Sequence, residues 1–251
     1  MLPILVLTLA AGLAIGSFLN VVAWRLPRGE SLVVPASHCP GCEAPVRPRD
    51  NVPVVSWLLL KGRCRDCGTG IAARYPLVEG ATALLWLAVV AATWGDPARL
   101  ALGLALVTLM VPVVLIDLEH RLIPNRLTAP FAALAVVLGL ALDPGRVPEQ
   151  LLAGLGAGGF FLLAALAYPR GMGMGDVKLA AVMGLYLGRA VAPAIFLGLI
   201  AGVLVGAAII ARVGAAEGRK TAVPFGPFLA LGAIAALFAG EPVMDAYLDR
   251  F

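Results

Sequence analysis

Four cysteines form two closely spaced pairs in the first third of the chain. The pairs are Cys39-Pro40-Gly41-Cys42 and Cys64-Arg65-Asp66-Cys67. Each Cys-x-x-Cys turn can point two thiolates at one centre, and two such turns complete the tetrahedral sulfur set that zinc prefers. Four thiolates fill that coordination sphere, so we expect Cys39, Cys42, Cys64 and Cys67 to hold structural rather than catalytic Zn²⁺.

Other interpretations of the cysteines are two disulfides or free thiols. Disulfides are disfavoured if this loop lies in a reducing cytoplasm. His38 adjoins Cys39 and is a fifth candidate ligand. A solvated loop position is the preferred interpretation of this histidine.

Two aspartates stand at the ends of apolar stretches, unlike most acidic residues of the chain. Asp117 follows the apolar run 109–116, and Asp176 follows the glycine-rich stretch 171–175. Ionisable groups at membrane depth are costly and indicate function by default. Two carboxylates that share a site cannot both ionise easily, so one can take a proton from water while the other donates to a scissile carbonyl. The pattern therefore predicts an aspartic protease with Asp117 and Asp176 as catalytic residues.

The neighbours of the two aspartates fit such a site. Gly173 and Gly175 would let a substrate backbone approach closely and would allow positive φ angles. Pro112 would kink or loosen the helix that leads to Asp117.

Each aspartate also has a purely structural interpretation. Asp117 and Arg121 are spaced i, i+4 and could form an ion pair if the helix continues. Asp176 could be a helix N-cap that follows a glycine loop.

The composition indicates where these groups are placed. Of the 251 residues, 61% are hydrophobic and only 14% are charged, whereas a soluble domain is about half apolar and a quarter charged. A surface that faces the lipid bilayer explains the excess. The chain has no long basic run, so nucleic-acid binding is not expected.

Eight apolar stretches could cross a membrane, which requires about 20 residues each. They cover residues 2–24, 76–95, 100–116, 127–142, 150–168, 177–190, 192–211 and 222–240. The stretch that begins at Val177 is the weakest, because it spans only if its helix continues past Arg189 to near Pro193.

The positions of the basic residues test this topology. With eight spans and the 25–75 loop inside, 15 of the 19 Lys and Arg residues lie in cytoplasmic loops, which favours both termini outside. If the 177–190 stretch is re-entrant, 14 of the basic residues lie inside and 5 lie outside. Eight spans are therefore preferred only slightly over seven. Asp117 and Asp176 then lie at the same, cytoplasmic, membrane face.

The predicted fold is therefore an all-α polytopic membrane protein of about eight transmembrane helices, with a small cytoplasmic zinc-knuckle subdomain between helices 1 and 2. Three regions are expected: a first transmembrane helix at 1–24, a tetracysteine zinc-binding loop domain at 25–75, and a membrane helical peptidase domain at 76–251.

Several blocks of sequence resemble the type IV prepilin leader peptidases, which are bacterial membrane aspartic proteases of the Gly-x-Gly-Asp class. The resemblance extends over nearly the whole chain. It includes both cysteine pairs, Gly173-Met174-Gly175-Asp176, and residues 17–22, 25–27, 56–64, 74–79, 117–125, 173–179 and 224–230.

This resemblance implies an activity, a substrate and a location. Such enzymes remove the short basic leader of prepilins or pseudopilins of type IV pilus and type II secretion systems, on the cytoplasmic side of the bacterial inner membrane. Members with the long cysteine-bearing loop usually also N-methylate the new terminus with S-adenosylmethionine, so methylation is expected here. Glu79 is a candidate for methyl transfer, although an interface carboxylate near Arg74 is its preferred interpretation.

Three other functions remain as alternatives. The first is a membrane methyltransferase that has lost proteolysis, which the presence of both aspartates argues against. The second is a cation transporter, whose ligands would be expected near the bilayer midplane rather than at one edge. The third is a zinc-knuckle scaffold, which would leave Asp117 and Asp176 unused.

Overall fold

The computed structural model describes residues 2–169, 172–214 and 223–250, and almost all regular structure in these ranges is helical. The helices are α1 (Leu2–Arg25), α2 (Val55–Leu59), α3 (Arg74–Ala92), α4 (Pro97–His120), α5 (Asn125–Leu142), α6 (Val147–Ala167), α7 (Met174–Leu187), α8 (Val191–Val213) and α9 (Gly226–Leu248). The described residues form two isolated β-bridges but no strand. The all-α prediction is confirmed.

Seven segments of the described chain are long and apolar enough to cross a membrane. They are Leu2–Arg28, Arg74–Ala92, Pro97–His120, Asn125–Leu142, Pro144–Ala167, Met174–Val213 and Gly226–Leu248. The segment Met174–Val213 has 40 residues, which as one straight helix would be about 60 Å long, twice the thickness of a hydrocarbon core.

This long segment is broken between α7 and α8. Gly188 has φ +56°, and the 3-10 turn Gly188–Ala190 separates the two helices. The helix therefore does not continue past Arg189 to near Pro193, which is the condition for the stretch 177–190 to span. A residue with positive φ interrupts the α-helical hydrogen bonding, and glycine adopts that angle without steric cost.

The two helices on either side of this break run in opposite directions. Gly175 of α7 packs against Ile123, which follows the end of α4, and Asp117 in the last turn of α4 meets Gly226 at the start of α9. The far end of α9 meets Ala190, where α8 begins. α7 therefore leads away from the end of the unit that carries Asp117, and α8 returns to it. The two helices thus have the opposite directions that two crossings require, although α7 alone, with 14 residues, is about 21 Å long and shorter than the hydrocarbon core.

The chain separates into two compact units with bounds that differ from the predicted regions. In the N-terminal unit, Met1–Ala92, helices α1 and α3 pack as an antiparallel pair. A Cβ atom at Gly12 would be 2.7 Å from the Cα of Ala83, and one at Gly16 would be 2.7 Å from the Cα of Glu79. The absence of side chains at these positions lets the two backbones approach, as small residues do between membrane helices.

The C-terminal unit, Thr93–Phe251, is built around α4. This helix contributes side chains that are almost completely buried, among them Leu106, Leu109, Met110, Val113 and Ile116. Asp117 directly follows this buried run. The packing of α4 therefore fixes the position of the first candidate catalytic residue.

Ion pairs hold together the end of this unit that is opposite Asp117. Arg99 and Arg146 both bind the carboxylate of Glu241, and Arg189 lies 2.8 Å from Asp245. A small cavity of about 60 Å³ lies among these groups. Both arginines that line this cavity are already paired with Glu241. We therefore assign the region a structural role rather than a catalytic one.

Candidate active site

Asp117 is a buried carboxylate in the last turn of α4. Its side chain is only 5% exposed. The helix ends at His120, and Arg121 follows in the left-handed region with φ +51°, so that its backbone N–H donates to the carbonyl of Asp117. The helix does not continue through Arg121, and among the described residues no side-chain ion pair joins Arg121 to Asp117.

Gly226 supplies the hydrogen bond to the Asp117 carboxylate. Its backbone N–H donates to Asp117 Oδ2 at 2.8 Å. A Cβ atom on residue 226 would lie 2.7 Å from the same oxygen, so any larger residue must displace the carboxylate. Because Pro227 follows at the second helical position and Gly226 opens α9, the N–H of Gly226 is one of the donors that helix ends leave without an intrahelical partner.

Asp176 lies in the first turn of α7 and is half-buried. The N-cap of this helix is Gly173, and the backbone N–H of Asp176 donates to the carbonyl of Gly173 at 3.2 Å. Asp176 therefore stands inside the helix and not at its cap. Its neighbour Gly175 packs against Ile123, which follows the end of α4, so Asp176 lies at the same end of the unit as Asp117.

The two glycines before Asp176 differ in their surroundings. A Cβ atom at Gly175 would be 3.0 Å from the Cβ of Ile123. A Cβ atom at Gly173 would have more room, because the nearest atom, Asp176 Oδ2, would be 3.6 Å away. Neither glycine has a positive φ angle; that of Gly173 is −81°. Since α7 begins at Met174, Gly175 lies inside the helix, where the nearby Ile123 leaves little room for a side chain.

Two contacts near the aspartates were not anticipated from the sequence. One is the amide of Gly226, for which the only signal was the block 224–230. The other is Lys178, whose Nζ lies 2.9 Å from Asn125 Oδ1. This contact connects the second turn of α7 to the first residue of α5. Both α5 and α7 are thereby held close to the loop that follows Asp117.

Some predicted features lie outside the described residues. These are Gly171 and Arg170 before α7, and the basic residues Arg219 and Lys220 between α8 and α9.

The four cysteines converge in the N-terminal unit. Their sulfur atoms all lie within 4.8 Å of one another, and Cys39 Sγ is 3.7 Å from Cys67 Sγ. Four sulfurs bound tetrahedrally to zinc at about 2.3 Å would be about 3.8 Å apart. The arrangement could hold a metal ion, and His38 is not part of the cluster.

The two cysteine turns have the same backbone structure. Cys39 N–H donates to the carbonyl of Ala44, and Cys64 N–H donates to that of Thr69. The residue before each of these acceptors has a positive φ angle, which is +58° at Glu43 and +72° at Gly68. Such equivalent turns present the two thiols of each pair to one point.

Polar contacts around the cysteine cluster also favour a folded loop. The thiol of Cys67 donates a hydrogen bond to Thr69 Oγ1 at 3.2 Å, and Thr69 also provides the carbonyl that accepts from Cys64 N–H. The guanidinium of Arg65 makes a bidentate contact with Asp50 and lowers the pKa of that carboxyl.

Glu79, the candidate for methyl transfer, lies in α3 and is buried. Its Oε2 accepts a hydrogen bond from the backbone N–H of Val54 at 2.7 Å. This contact joins α3 to the segment that precedes α2.

Comparison with known proteins identifies the family. The model of the bacterial peptidase A24 N-terminal domain matches residues 10–93, and that of the type IV leader peptidase family matches residues 104–210. No solved structure shows significant similarity to the chain.

Three similar relatives cover nearly the whole chain. The type 4 prepilin-like proteins leader peptide-processing enzyme of Escherichia coli O78:H11 is 35% identical over 93% of each chain. The prepilin leader peptidase/N-methyltransferase of Aeromonas hydrophila is 36% identical over 95% of this chain and 92% of its own length. The enzyme of the same name from Bacillus subtilis is 34% identical over 94% and 95%, respectively. By both family models and by these relatives, the chain belongs to the type IV leader peptidase family.

Proposed function

We propose that this protein is a multi-pass membrane endopeptidase that removes the leader peptide of prepilins or pseudopilins and then N-methylates the new terminus. The observation that carries the peptidase proposal is the placement of Asp117 and Asp176 at one end of the C-terminal unit, with Asp117 buried and bound to an amide. Family membership gives this pair its substrate class.

The proposed reaction needs no covalent intermediate. One carboxylate takes a proton from the attacking water, while the protonated partner donates to the carbonyl of the scissile bond, which gives a tetrahedral adduct. When this adduct collapses the C–N bond breaks, the departing amine receives the proton taken from water, and the adduct's hydroxyl returns a proton to the partner carboxylate. The protons are shared by the pair, so the pair titrates as a unit. Gly226 N–H fixes Asp117 Oδ2, which leaves the other oxygen for water or substrate.

The position of the carboxylates argues against a cation transporter. Asp117 lies in the last turn of the 24-residue helix α4, and Asp176 lies in the first turn of α7. Transporter sites are typically near the middle of the bilayer. A substrate that is cut next to its membrane helix would instead meet catalytic groups at the membrane edge.

We assign zinc to Cys39, Cys42, Cys64 and Cys67. Zinc supplies a cross-link there that a small loop domain cannot obtain from a hydrophobic core. With four sulfur ligands the ion has no open position for catalysis.

S-adenosylmethionine is the proposed methyl donor, and it supplies the methyl group when bound. Glu79 is the candidate residue for this second activity. The N-methyltransferase names of the relatives support the assignment.

The distribution of basic residues supports an orientation in which the loop 25–75 and both aspartates face the cytoplasm. The location proposed is the bacterial inner membrane, where prepilin-type substrates are inserted.

Co-expression with a prepilin-type substrate tests the proposed function. Leader removal should appear as a mobility shift, and mass spectrometry should find the new terminus carrying one added methyl group. A substrate that keeps its leader when the protein is present in the membrane would refute the peptidase. A cleaved substrate without the methyl group would refute only the second activity.

A further inference from the structure

Glu79 is an unusually placed carboxylate in the N-terminal unit. It is only 8% exposed, and among the described residues it makes no ion pair. Its hydrogen bond from Val54 N–H satisfies one oxygen. A buried carboxylate is costly unless it is paired with a cation or fully hydrogen-bonded, so this group has capacity for a cationic partner.

Asn20 of α1 is a second group with unused capacity. It is 4% exposed, and its Nδ2 donates to the carbonyls of Gly16 and Tyr75, both at 3.3 Å. Its Oδ1 is buried and has no hydrogen-bond partner among the described residues. Both hydrogen bonds need the amide nitrogen of Asn20 to face these two carbonyls. If nitrogen and oxygen of the amide exchanged places, both hydrogen bonds would be lost. Leaving a buried acceptor without a donor is destabilising.

The two groups lie within one helical turn of each other on facing helices. Gly16 packs against the backbone of Glu79, and Asn20, one turn further along α1, bonds to Tyr75, one turn earlier in α3. Side chains of an α-helix lean towards its N-terminus. Because α1 and α3 are antiparallel, Asn20 leans towards the level of Glu79, and Glu79 leans towards the level of Asn20.

The loop contact of Glu79 indicates a built site rather than chance burial. Val54, whose N–H binds Glu79, is a β-branched residue with φ +61°. This conformation is a steric outlier for such a residue and persists only where surrounding contacts impose it.

We propose that Glu79 and Asn20 bind a primary ammonium group. An ammonium group offers three donors and one positive charge, which matches the unpaired carboxylate and the partnerless Oδ1. This inference rests on the proposed methylation, because that reaction brings two primary amines to the protein. One is the new N-terminus of the cleaved substrate, and the other is the amino group of S-adenosylmethionine.

Equilibrium binding to the purified full-length protein distinguishes these two sources. The first pair of probes is a peptide with the sequence of a mature substrate terminus and the same peptide acetylated at its N-terminus. The second pair is S-adenosylmethionine and an analogue in which hydrogen replaces the amino group. The variants are Glu79→Gln, which keeps the shape and an acceptor for Val54 N–H, and Asn20→Leu.

Thr82→Val is the matched control. Thr82 is completely buried in the same helix, and its hydroxyl already donates to the carbonyl of Val78. Zinc content and leader cleavage by each variant report whether the unit is folded.

In one of the two pairs of probes, Glu79→Gln should weaken binding of the probe that carries the free amine about tenfold or more. Binding of the amine-free probe of the same pair should not change. Loss for the free peptide assigns the site to the substrate terminus, and loss for S-adenosylmethionine assigns it to the methyl donor. Either result should be accompanied by a raised KM for the same ligand in methylation.

Unchanged affinity for both amines in Glu79→Gln would overturn the proposal. Equal losses for amine and amine-free probes would also overturn it, because they would show a structural effect. Since these are binding measurements, they stay informative if the wild-type protein proves unable to methylate, which would be a failure of the proposed function alone.

Discussion

At the scale of single residues, the carboxylate of Asp117 depends on an amide 109 positions further along the chain. Gly226 both donates to Asp117 and leaves room for it. Displacements of about 1 Å at a catalytic group can reduce rates about 100-fold. Gly226 can therefore control the reaction through the position of Asp117.

Gly226→Ala should lower kcat for leader cleavage by about 10- to 100-fold. The added methyl group would collide with Asp117 Oδ2, while the N–H donor is retained. The measurement is cleavage of a prepilin-type substrate by purified protein, with zinc content as a check on folding.

Gly156→Ala is the control for that substitution. Gly156 is in α6, and a Cβ atom there would have no neighbour within 4 Å. Equal cleavage by Gly226→Ala and Gly156→Ala would show that the position of Asp117 does not depend on residue 226.

Some of these residues could be predicted from sequence, and others could not. Asp117, Asp176 and the cysteines stand out because their types are costly or distinctive in their setting. Gly226 and the contact between Lys178 and Asn125 could not be derived, because each depends on which distant helices become neighbours.

At the scale of elements, the cysteine loop consists of two equivalent turns joined by the segment that contains α2. Trp57 of α2 donates to the carbonyl of Ile71, and Gly62 packs against its ring. Ser56 is the only buried residue of the segment 29–73, so the loop has little hydrophobic core and its fold should depend on the bound metal.

Cys42→Ser together with Cys67→Ser should reduce bound zinc from about one ion per chain to nearly none, because structural zinc requires four ligands. The loop should then be cut faster in limited proteolysis. Metal analysis of purified protein gives the zinc content.

His38→Ala should retain the zinc, since His38 lies outside the cluster of sulfurs. A wild-type protein without zinc, or a double cysteine variant that keeps it, would contradict the assignment.

The contact between α6 and α7 offers a second test at this scale. A Cβ atom at Gly184 would be 2.5 Å from the carbonyl carbon of Ala153. Gly184→Val should therefore destabilise the protein by about 1–3 kcal/mol, seen as a lower melting temperature.

The same substitution at Gly206 of α8 should have a much smaller effect, because a Cβ atom there meets nothing within 4 Å. Equal melting temperatures for the two variants would show that α6 and α7 do not pack as described.

Hydropathy predicted separate stretches at 177–190 and 192–211 but could not decide whether the first one crosses the membrane. Hydropathy cannot distinguish a helix that continues through Arg189 from two helices that turn there. The break depends on the backbone of Gly188 and on the packing of α7 and α8 against different neighbours.

At the scale of the whole molecule, the number of crossings decides where the C-terminus lies. Eight crossings place both termini outside, whereas seven place the C-terminus in the cytoplasm. The reversal between α7 and α8 supports the first arrangement.

A reporter enzyme that is active only outside the cytoplasm should be active when fused after Arg250. It should be inactive when fused after Leu122, in the loop between α4 and α5. Activity of the reporter at Leu122 would contradict the proposed orientation, and inactivity at Arg250 would indicate seven crossings.

The central claim is that Asp117 and Asp176 together perform the cleavage, and isosteric substitution tests it most directly. Asp117→Asn and Asp176→Asn should each reduce leader removal by at least about 1,000-fold, because neither amide can exchange a proton with water or the scissile bond. Asp143→Asn, at a partly exposed aspartate between α5 and α6, should cleave normally. Both variants should leave the substrate uncut at normal membrane levels, and normal processing by either one would show that cleavage does not depend on the pair.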